Sequence, residues 1–307
     1  MTLREALTRA TAQLDASPDL RADAPRDALI LLLHTLGISR AEYHADPKGT
    51  LTRVEQSAYE AAIQRRVANE PIQYITGEQE FYGLALHVTP AVLIPRPETE
   101  HLVEAVLEEF GCHPAVVSGC HPAAQRRDLL LPSREASRTA RSALDVGTGS
   151  GAIAIALAHH LPDAYLTAVD LSPAALAVAA TNAARHHLTT RIRFLESNLL
   201  EALPPGETFD AIVSNPPYVA TADRNTLHPQ VRDHEPATAL FAGADGLQIY
   251  RRLIPQARAA LKPNGLLALE IGHGQRESIA ELLSGWNELH FVDDLQQIPR
   301  VALARKP

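Results

Sequence analysis

Leu144-Asp145-Val146-Gly147-Thr148-Gly149-Ser150-Gly151 is the stretch that decides the fold. Its apolar head reads as the end of a strand, and Ala152–His160 behind it reads as a helix. Glycines at such a turn let a ligand approach the backbone closely, with the helix N-terminus facing it. Asp170 lies 19 residues past Gly151, at the end of the next predicted strand. A carboxylate placed there can accept both hydroxyls of a ribose. Gly147, Gly149 and Ala152 also satisfy the looser dinucleotide fingerprint, so the loop alone leaves a nicotinamide cofactor and S-adenosylmethionine both open. Asp145 favours the second, because a carboxylate just ahead of the loop would oppose a pyrophosphate but suit a cationic methionine moiety.

Working outward, strands are predicted at 143–146, 165–169, 192–195, 211–214 and 266–271, with helices at 152–160, 173–186 and 247–261. Alternation of this kind implies a parallel, doubly wound α/β sheet. The pair 289–292 and 301–304 is separated by too little chain for a crossover helix, which fits an antiparallel hairpin at the sheet edge.

Ahead of this unit the pattern changes. Leu3, Ala6, Leu7 and Ala10 share one helix face, a second helix opens at Asp27, and a third runs from Leu51 to Val67 with Thr52 as its cap and Glu55 three residues on. Phe81, Leu84, Leu86, Val88 and Val92, set among Gly83 and Pro90, predict a β-hairpin. The expected organisation is a small all-helical domain over 1–75, a hairpin linker over 76–96 and the α/β domain over 97–307. Within the last, 111–142 reads as a loop insertion, since Gly111-Cys112-His113-Pro114-Ala115 nearly repeats as Gly119-Cys120-His121-Pro122-Ala123 before an aperiodic Arg- and Ser-rich run.

The second chemical motif follows Phe209–Ser214, the fourth predicted strand: Asn215-Pro216-Pro217-Tyr218. Ligands of such sheets bind beyond the carboxyl ends of the strands. Asn offers a carbonyl acceptor, and the prolines fix φ and remove N–H donors, which leaves rigid outward carbonyls. Together they can accept both hydrogens of one planar NH₂ group while Tyr218 covers its flat face. An amide nitrogen is a poor nucleophile because its lone pair is delocalised. Acceptors that hold both hydrogens favour a less planar nitrogen with the lone pair aimed at a methyl donor, and positioning supplies much of the acceleration.

With these motifs in place the chain resembles the release factor glutamine N5-methyltransferases, over nearly its whole length except 111–142. Glu70-Pro71-Ile72-Gln73-Tyr74-Ile75-Thr76-Gly77 and Ile94-Pro95-Arg96-Pro97-Glu98-Thr99-Glu100 support the resemblance, as do Glu235-Pro236, Ala239-Leu240, Gly243 and Asp245-Gly246-Leu247. It implies a Rossmann-like class I methyltransferase fold and transfer of a methyl group from S-adenosylmethionine to the glutamine of the Gly-Gly-Gln motif in peptide chain release factors. It also implies that Gly147, Thr148, Gly149, Ser150, Gly151 and Asp170 hold the cofactor, and that Asn215, Pro216, Pro217 and Tyr218 hold the substrate glutamine. Asn215, Pro216 and Tyr218 are then the catalytic group, with Asn215 also near the cofactor. At Ser197-Asn198-Leu199-Leu200 the chain departs from the family, which usually has Asp and then an aromatic residue. Asn198 still offers a carbonyl to an adenine amino group, and Leu199 packs on the ring without stacking as well.

Two related activities present similar motifs. A sister family methylates a glutamine of a ribosomal protein, but it looks different after its Pro-Arg pair. DNA adenine N6-methyltransferases also show Asn-Pro-Pro-Tyr to an NH₂ group, yet they need a basic surface and base flipping. This chain has 28 Lys and Arg against 36 Asp and Glu, a formal net charge of −8, which argues against direct nucleic-acid binding. A non-catalytic binding module that has kept the fold is disfavoured by the intact Asn215 and glycine loop. Two cysteines imply no disulfide framework. Cys112-His113 and Cys120-His121 fit no standard zinc finger and read as a duplicated loop, so no metal is expected. His159-His160 and His186-His187 read as solvated helix ends, and Arg65-Arg66 and Arg126-Arg127 as solvated faces. A charged N-terminus without an apolar core and the lack of an 18-residue apolar run predict a cytoplasmic protein with no membrane partner.

Overall fold

The computed structural model describes residues 1–112 and 141–307. The N-terminal region is built from α1 (Leu3–Asp15), α2 (Ala24–Leu36), α3 (Arg40–Ala45), α4 (Arg53–Val67) and α5 (Ile72–Thr76). Three of these helices start in reciprocal capping boxes, Thr2 with Glu5, Ser39 with Glu42 and Thr52 with Glu55, each satisfying two otherwise unpaired N–H groups. The box at Ser39 opens a short helix that the periodicity reading passed over, so the helix starting after Thr52 is the fourth and not the third. Helix α2 begins three residues earlier than expected, at Ala24, because Pro25 suits a first helical turn; it ends where Gly37 turns left-handed at φ 64°. The apolar faces of these helices bury Leu14, Leu20, Leu31, Leu32, Tyr59 and Ile63 in a cluster of their own. Arg66, expected on a solvated face with Arg65, is instead buried and forms an ion pair with Asp27 at 2.7 Å, while Arg65 stays exposed.

A hairpin of β1 (Glu78–Phe81) and β2 (Leu84–His87) follows, as the spacing around Gly83 predicts. Then come α6 (Glu100–Glu109), β3 (Arg141–Val146), α7 (Ala152–His160), β4 (Ala164–Asp170), α8 (Pro173–Arg185), β5 (Ile192–Glu196) and β6 (Phe209–Ser214). The chain closes with α9 (Pro229–Arg232), α10 (Gln248–Ala260), β7 (Leu261–Glu270), α11 (Arg276–Leu282), β8 (Asn287–Asp293) and β9 (Pro299–Arg305). Helices α6 and α11 carry apolar residues at helical spacing that the sequence reading did not separate out. Strand β3 starts at Arg141, two residues inside the insertion read over 111–142. The rest of that insertion from 113 to 140, with His113, the Cys120-His121 pair and Arg126-Arg127, lies outside the described residues.

The seven-stranded sheet runs β5-β4-β3-β6-β7-β9-β8. Strands β3 to β7 pair in parallel, and β9 pairs antiparallel with both β7 and β8, which is the expected edge hairpin. Side chains alternate with period two. Ala143, Ala211, Val213 and Ala268 face α6 and α7, while Leu144, Ile212, Leu267 and Leu269 face α10 and α11. The chain steps from β3 outward through β4 and β5, then returns to β6 on the other side of β3. The crevice beyond the carboxyl ends of β3 and β6 is therefore the topological switch point, where such sheets bind ligands.

Candidate active site

Two loops leave the sheet at that switch point, and one hydroxyl ties their roots together. Ser214, the last residue of β6, donates its hydroxyl to the carbonyl of Val146, the last residue of β3, at 2.6 Å. Gly147 and Asn215 therefore begin side by side, and the glycine loop and the Asn215–Tyr218 segment share one edge of the sheet.

The glycine loop is held from beneath. Gly147 and Thr148 both donate their N–H to the carbonyl of Val169, at 2.9 and 3.0 Å. Gly147 and Gly149 are left-handed, at φ 74° and 55°, and a Cβ on either would meet no atom within 4 Å, so their outer faces stand open. Gly151 differs: a Cβ there would stand 2.9 Å from Ile155 Cδ1 and 3.1 Å from Ala179 Cβ, so its smallness serves the packing of α7 on α8. Thr148 and Ser150 turn inward and are buried, so what they offer a ligand is backbone rather than side chain.

Thr148 donates its hydroxyl to Asp145 Oδ2 at 2.6 Å, and the N–H of Ala154 reaches the same oxygen at 3.2 Å. Asp145 Oδ1 has no hydrogen-bond partner among the described residues. The residue is fully buried, and desolvation pushes its carboxyl up to about 7 against those two hydrogen bonds. Asp145 thus lies under the loop rather than beside an open face, a finer placement than the sequence indicated. Asp170 ends β4 with its carboxylate half-buried: Oδ2 accepts from Gly149 N–H at 2.8 Å and Oδ1 from Ser172 N–H at 2.9 Å. One carboxylate therefore braces the glycine loop and the start of α8 together.

Asn198 is less free than the sequence implied. Its Nδ2 donates to the Glu201 carboxylate, at 3.1 Å to each oxygen, and its Oδ1 accepts from Arg252 Nη2 at 2.9 Å. One lone pair of the carbonyl read as an adenine acceptor is thus already engaged. Leu199 next to it is left-handed at φ 54°, a conformation that disfavours a side chain with Cβ; its apolar side chain packs against the cluster beneath β3 and β6.

Across the crevice, Asn215 donates Nδ2 to Thr99 Oγ1 at 2.9 Å, and Thr99 donates its hydroxyl to Glu270 Oε2 at 2.6 Å. Tyr218 donates its hydroxyl to Glu270 Oε1 at 3.4 Å. Glu270 is the last residue of β7 and is buried. Desolvation pushes its carboxyl up to about 7, with the hydrogen bond from Thr99 and the charge of Arg300 opposing. Burial likewise raises the Tyr218 phenol, so its proton stays on oxygen. A pocket of about 190 Å³ opens beside Asn215, Pro216 and Tyr218, with Leu93, Arg96 and Val231 completing part of its wall. Arg96 is anchored to Glu235 at 2.5 Å, and the buried Glu235 carboxylate also accepts from the N–H of Ile94 at 3.3 Å. Pro217 follows in the same segment and is half-buried.

The Asp245-Gly246-Leu247 stretch acquires a physical role here. A Cβ on Gly246 would stand 2.2 Å from the carbonyl oxygen of Tyr218, and Gln275 Nε2 donates to that same oxygen at 3.1 Å. The sequence reading gave Thr99, Glu270, Gln275 and Arg96 no individual role. Thr99 and Arg96 were visible as members of the Ile94–Glu100 run, and Glu270 as a carboxylate ending an apolar strand. Nothing local marked Gln275. Among the described residues, no group of three or more His, Cys, Asp or Glu side chains is arranged to hold a metal ion, and no helix is long and apolar enough to cross a membrane.

Comparison with known proteins bears on the family and the fold. Residues 5–77 match the family described as PrmC N-terminal domain, and residues 124–232 match the family described as Methyltransferase small domain. The chain is 44% identical to the release factor glutamine methyltransferase of Koribacter versatilis, across 100% of this chain and 99% of that protein. It is 40% identical to the release factor glutamine methyltransferase of Deinococcus radiodurans, again over 100% and 99%. Among solved structures, the hMettl16 catalytic domain with an RNA hairpin superimposes with a TM-score of 0.54 at 16% identity, covering 82% of each chain. The 16S rRNA N2 G1207 methyltransferase of Thermus thermophilus, in complex with AdoMet and guanosine, does so at 0.51 and 21%, over 75% of this chain and 50% of that one. Those two likenesses are of fold. The full-length identities carry the rest, and this chain belongs to the release factor glutamine methyltransferase family.

Proposed function

We propose that this chain transfers a methyl group from S-adenosylmethionine to the side-chain amide nitrogen (N5) of the glutamine in the Gly-Gly-Gln motif of peptide chain release factors. The observation that supports the reading is the Ser214–Val146 hydrogen bond, which roots the Asn215–Tyr218 segment beside the open glycine loop. Such a reaction would run in the cytoplasm, where release factors act.

The loop residues fit the cofactor. Gly147 and Gly149 leave open space for a ligand, and Asp170 offers a half-buried carboxylate at the end of β4, where a ribose would be held. Gly147, Thr148, Gly149, Ser150 and Gly151 would offer backbone groups, Asp170 the ribose contacts, and Asn198 its remaining carbonyl lone pair to the adenine amino group, with Leu199 against the ring. When bound, the cofactor supplies an electrophilic methyl group.

Everything else falls to the chain's own residues. Asn215 Oδ1 and the Pro216 carbonyl would each accept one hydrogen of the glutamine NH₂, which disfavours its planar form and aims the lone pair along the transfer direction. Pro217 keeps that turn rigid, and Tyr218 covers the face of the amide. No base is required beforehand, because the nitrogen becomes far more acidic once it is alkylated. A glutamine flanked by glycines reaches the pocket without side-chain collisions.

The test is a methyl-transfer assay with labelled cofactor, offering a release factor, the ribosomal protein substrate of the sister family and DNA side by side. Label on the release factor glutamine alone supports the reading; label on adenine or on the ribosomal protein overturns it.

A further inference from the structure

Asn215, Thr99, Glu270 and Tyr218 form a hydrogen-bonded chain whose polarity is set by the charge of Glu270. Strands β6 and β7 pair with Ser214 opposite Leu269, so Glu270 ends β7 directly beside Asn215. Thr99, in the short 3-10 turn Pro97–Thr99 ahead of α6, fills the space between them. When Glu270 is ionised it can only accept, so the Thr99 hydroxyl then donates to it. The Thr99 oxygen is then left to accept, and it can take only the NH₂ side of Asn215. The Asn215 oxygen is thereby turned away from Thr99, as an acceptor.

We infer that Thr99 and Glu270 are positioning residues for methyl transfer: together they hold the Asn215 amide with its oxygen toward the substrate NH₂, and Glu270 holds the Tyr218 ring in place. This rests on the reading that Asn215 accepts from a glutamine NH₂. An Asn215 amide turned over would set donor against donor and expel the substrate group.

The protonation of Glu270 bears directly on this. It is faced by Thr99 and Glu98 from the 3-10 turn, by the Tyr218 hydroxyl and by Arg300 from β9, while Tyr250 from α10 donates to its backbone oxygen. Burial and Glu98 raise its carboxyl to about 7, and Thr99, Arg300 and Tyr218 oppose them. Once protonated, Glu270 can donate to the Thr99 oxygen. The Thr99 hydroxyl is then free to donate to Asn215, and the turned-over amide becomes accessible.

The experiment compares the full-length chain with Thr99→Val, Thr99→Ser and Glu270→Gln. Five quantities are read: kcat and KM on release factor across pH 6 to 9, the Kd for S-adenosylmethionine, the Kd for release factor without cofactor, and the thermal midpoint. Thr99→Val should lower kcat/KM for release factor by about tenfold or more, the scale of one lost hydrogen bond, and weaken release factor binding while leaving cofactor Kd within about twofold. Thr99→Ser, which keeps the hydroxyl, should recover most of that loss. The wild type should lose activity as pH falls through about 7, and Glu270→Gln, which does not ionise there, should lack that limb. Full activity in Thr99→Val, or no recovery in Thr99→Ser, overturns the inference. Should Thr99→Val not fold, the pH profiles decide alone, and superimposable profiles for wild type and Glu270→Gln overturn it. A wild type that methylates no release factor at all sinks the proposed function itself.

Discussion

Asp170 Oδ2 accepts the N–H of Gly149 at 2.8 Å, so the carboxyl end of β4 is bonded to the loop that leaves β3. The residue proposed to hold the ribose thus also shapes the glycine loop. Asp170→Ala should weaken S-adenosylmethionine binding by about 1.5–3 kcal/mol, the scale of a hydrogen bond to a charged group. The fold should survive, since the carboxylate is half-buried at a strand end. Calorimetric titration measures it, and an unchanged Kd removes Asp170 from the cofactor site.

Asn215→Ala should cut turnover by about 10²-fold or more with cofactor affinity nearly unchanged, as expected of a group that acts on the reacting nitrogen. In the substrate, Gln→Asn should abolish methylation, because one methylene fewer leaves the nitrogen about 1 Å short of the methyl group. Gln→Glu should abolish it too, by bringing a carboxylate against two acceptors. Mass spectrometry of treated release factor should find a gain of about 14 Da on that glutamine; the same gain localised elsewhere refutes the assignment.

Asp145 predicts a pH-dependent stability of the cofactor-free chain. Its folded carboxyl is raised from 3.8 to about 7, so the folded protein takes up a proton in a range where the unfolded chain does not. The stability this group contributes is fully present below about 4 and lost as pH rises through about 7. Lowering pH from 8 to 5.5 should therefore stabilise the wild type by roughly 2 kcal/mol through this residue. Asp145→Asn should show a flatter dependence in urea titrations at the two pH values. Equal slopes would mean that Asp145 stays ionised when buried.

Gly246→Ala would place a Cβ 2.2 Å from the Tyr218 carbonyl, at a residue with φ +74°. Backbone must move, and both the strain and the displaced Tyr218 should be felt. We expect a loss of about 1–3 kcal/mol in folding stability, together with lower turnover and an unchanged cofactor Kd. Thermal melts and single-turnover rates report the two effects separately. A variant with wild-type turnover would show that the position of the Tyr218 backbone does not matter to transfer.

The strands and helices that carry the site were legible because their signals are local. Short apolar runs, buried on both faces, mark β3, β4 and β6, and the turn chemistry of Gly147–Gly151 and Asn215–Tyr218 stands at the strand ends. Helices α3, α5, α6, α9 and α11 were not read from the sequence. Helix α3 has six residues, α5 five, α9 four and α11 seven, too few turns for a clear period of 3.6.

The sequence by itself determined the doubly wound sheet, the helical N-terminal region and the two chemical loops, because hydrophobic period and turn residues act over a few positions. Tertiary structure alone decided how those loops are oriented. Ser214 reaches Val146, 68 residues away, and Asn215 reaches Thr99, 116 away. Asn198 proved to be engaged by Arg252, 54 residues away. Each of these depends on which polar atoms lose water together when the sheet closes. A buried donor must find an acceptor within about 3 Å whatever its distance along the chain, and no local pattern of residues encodes that choice.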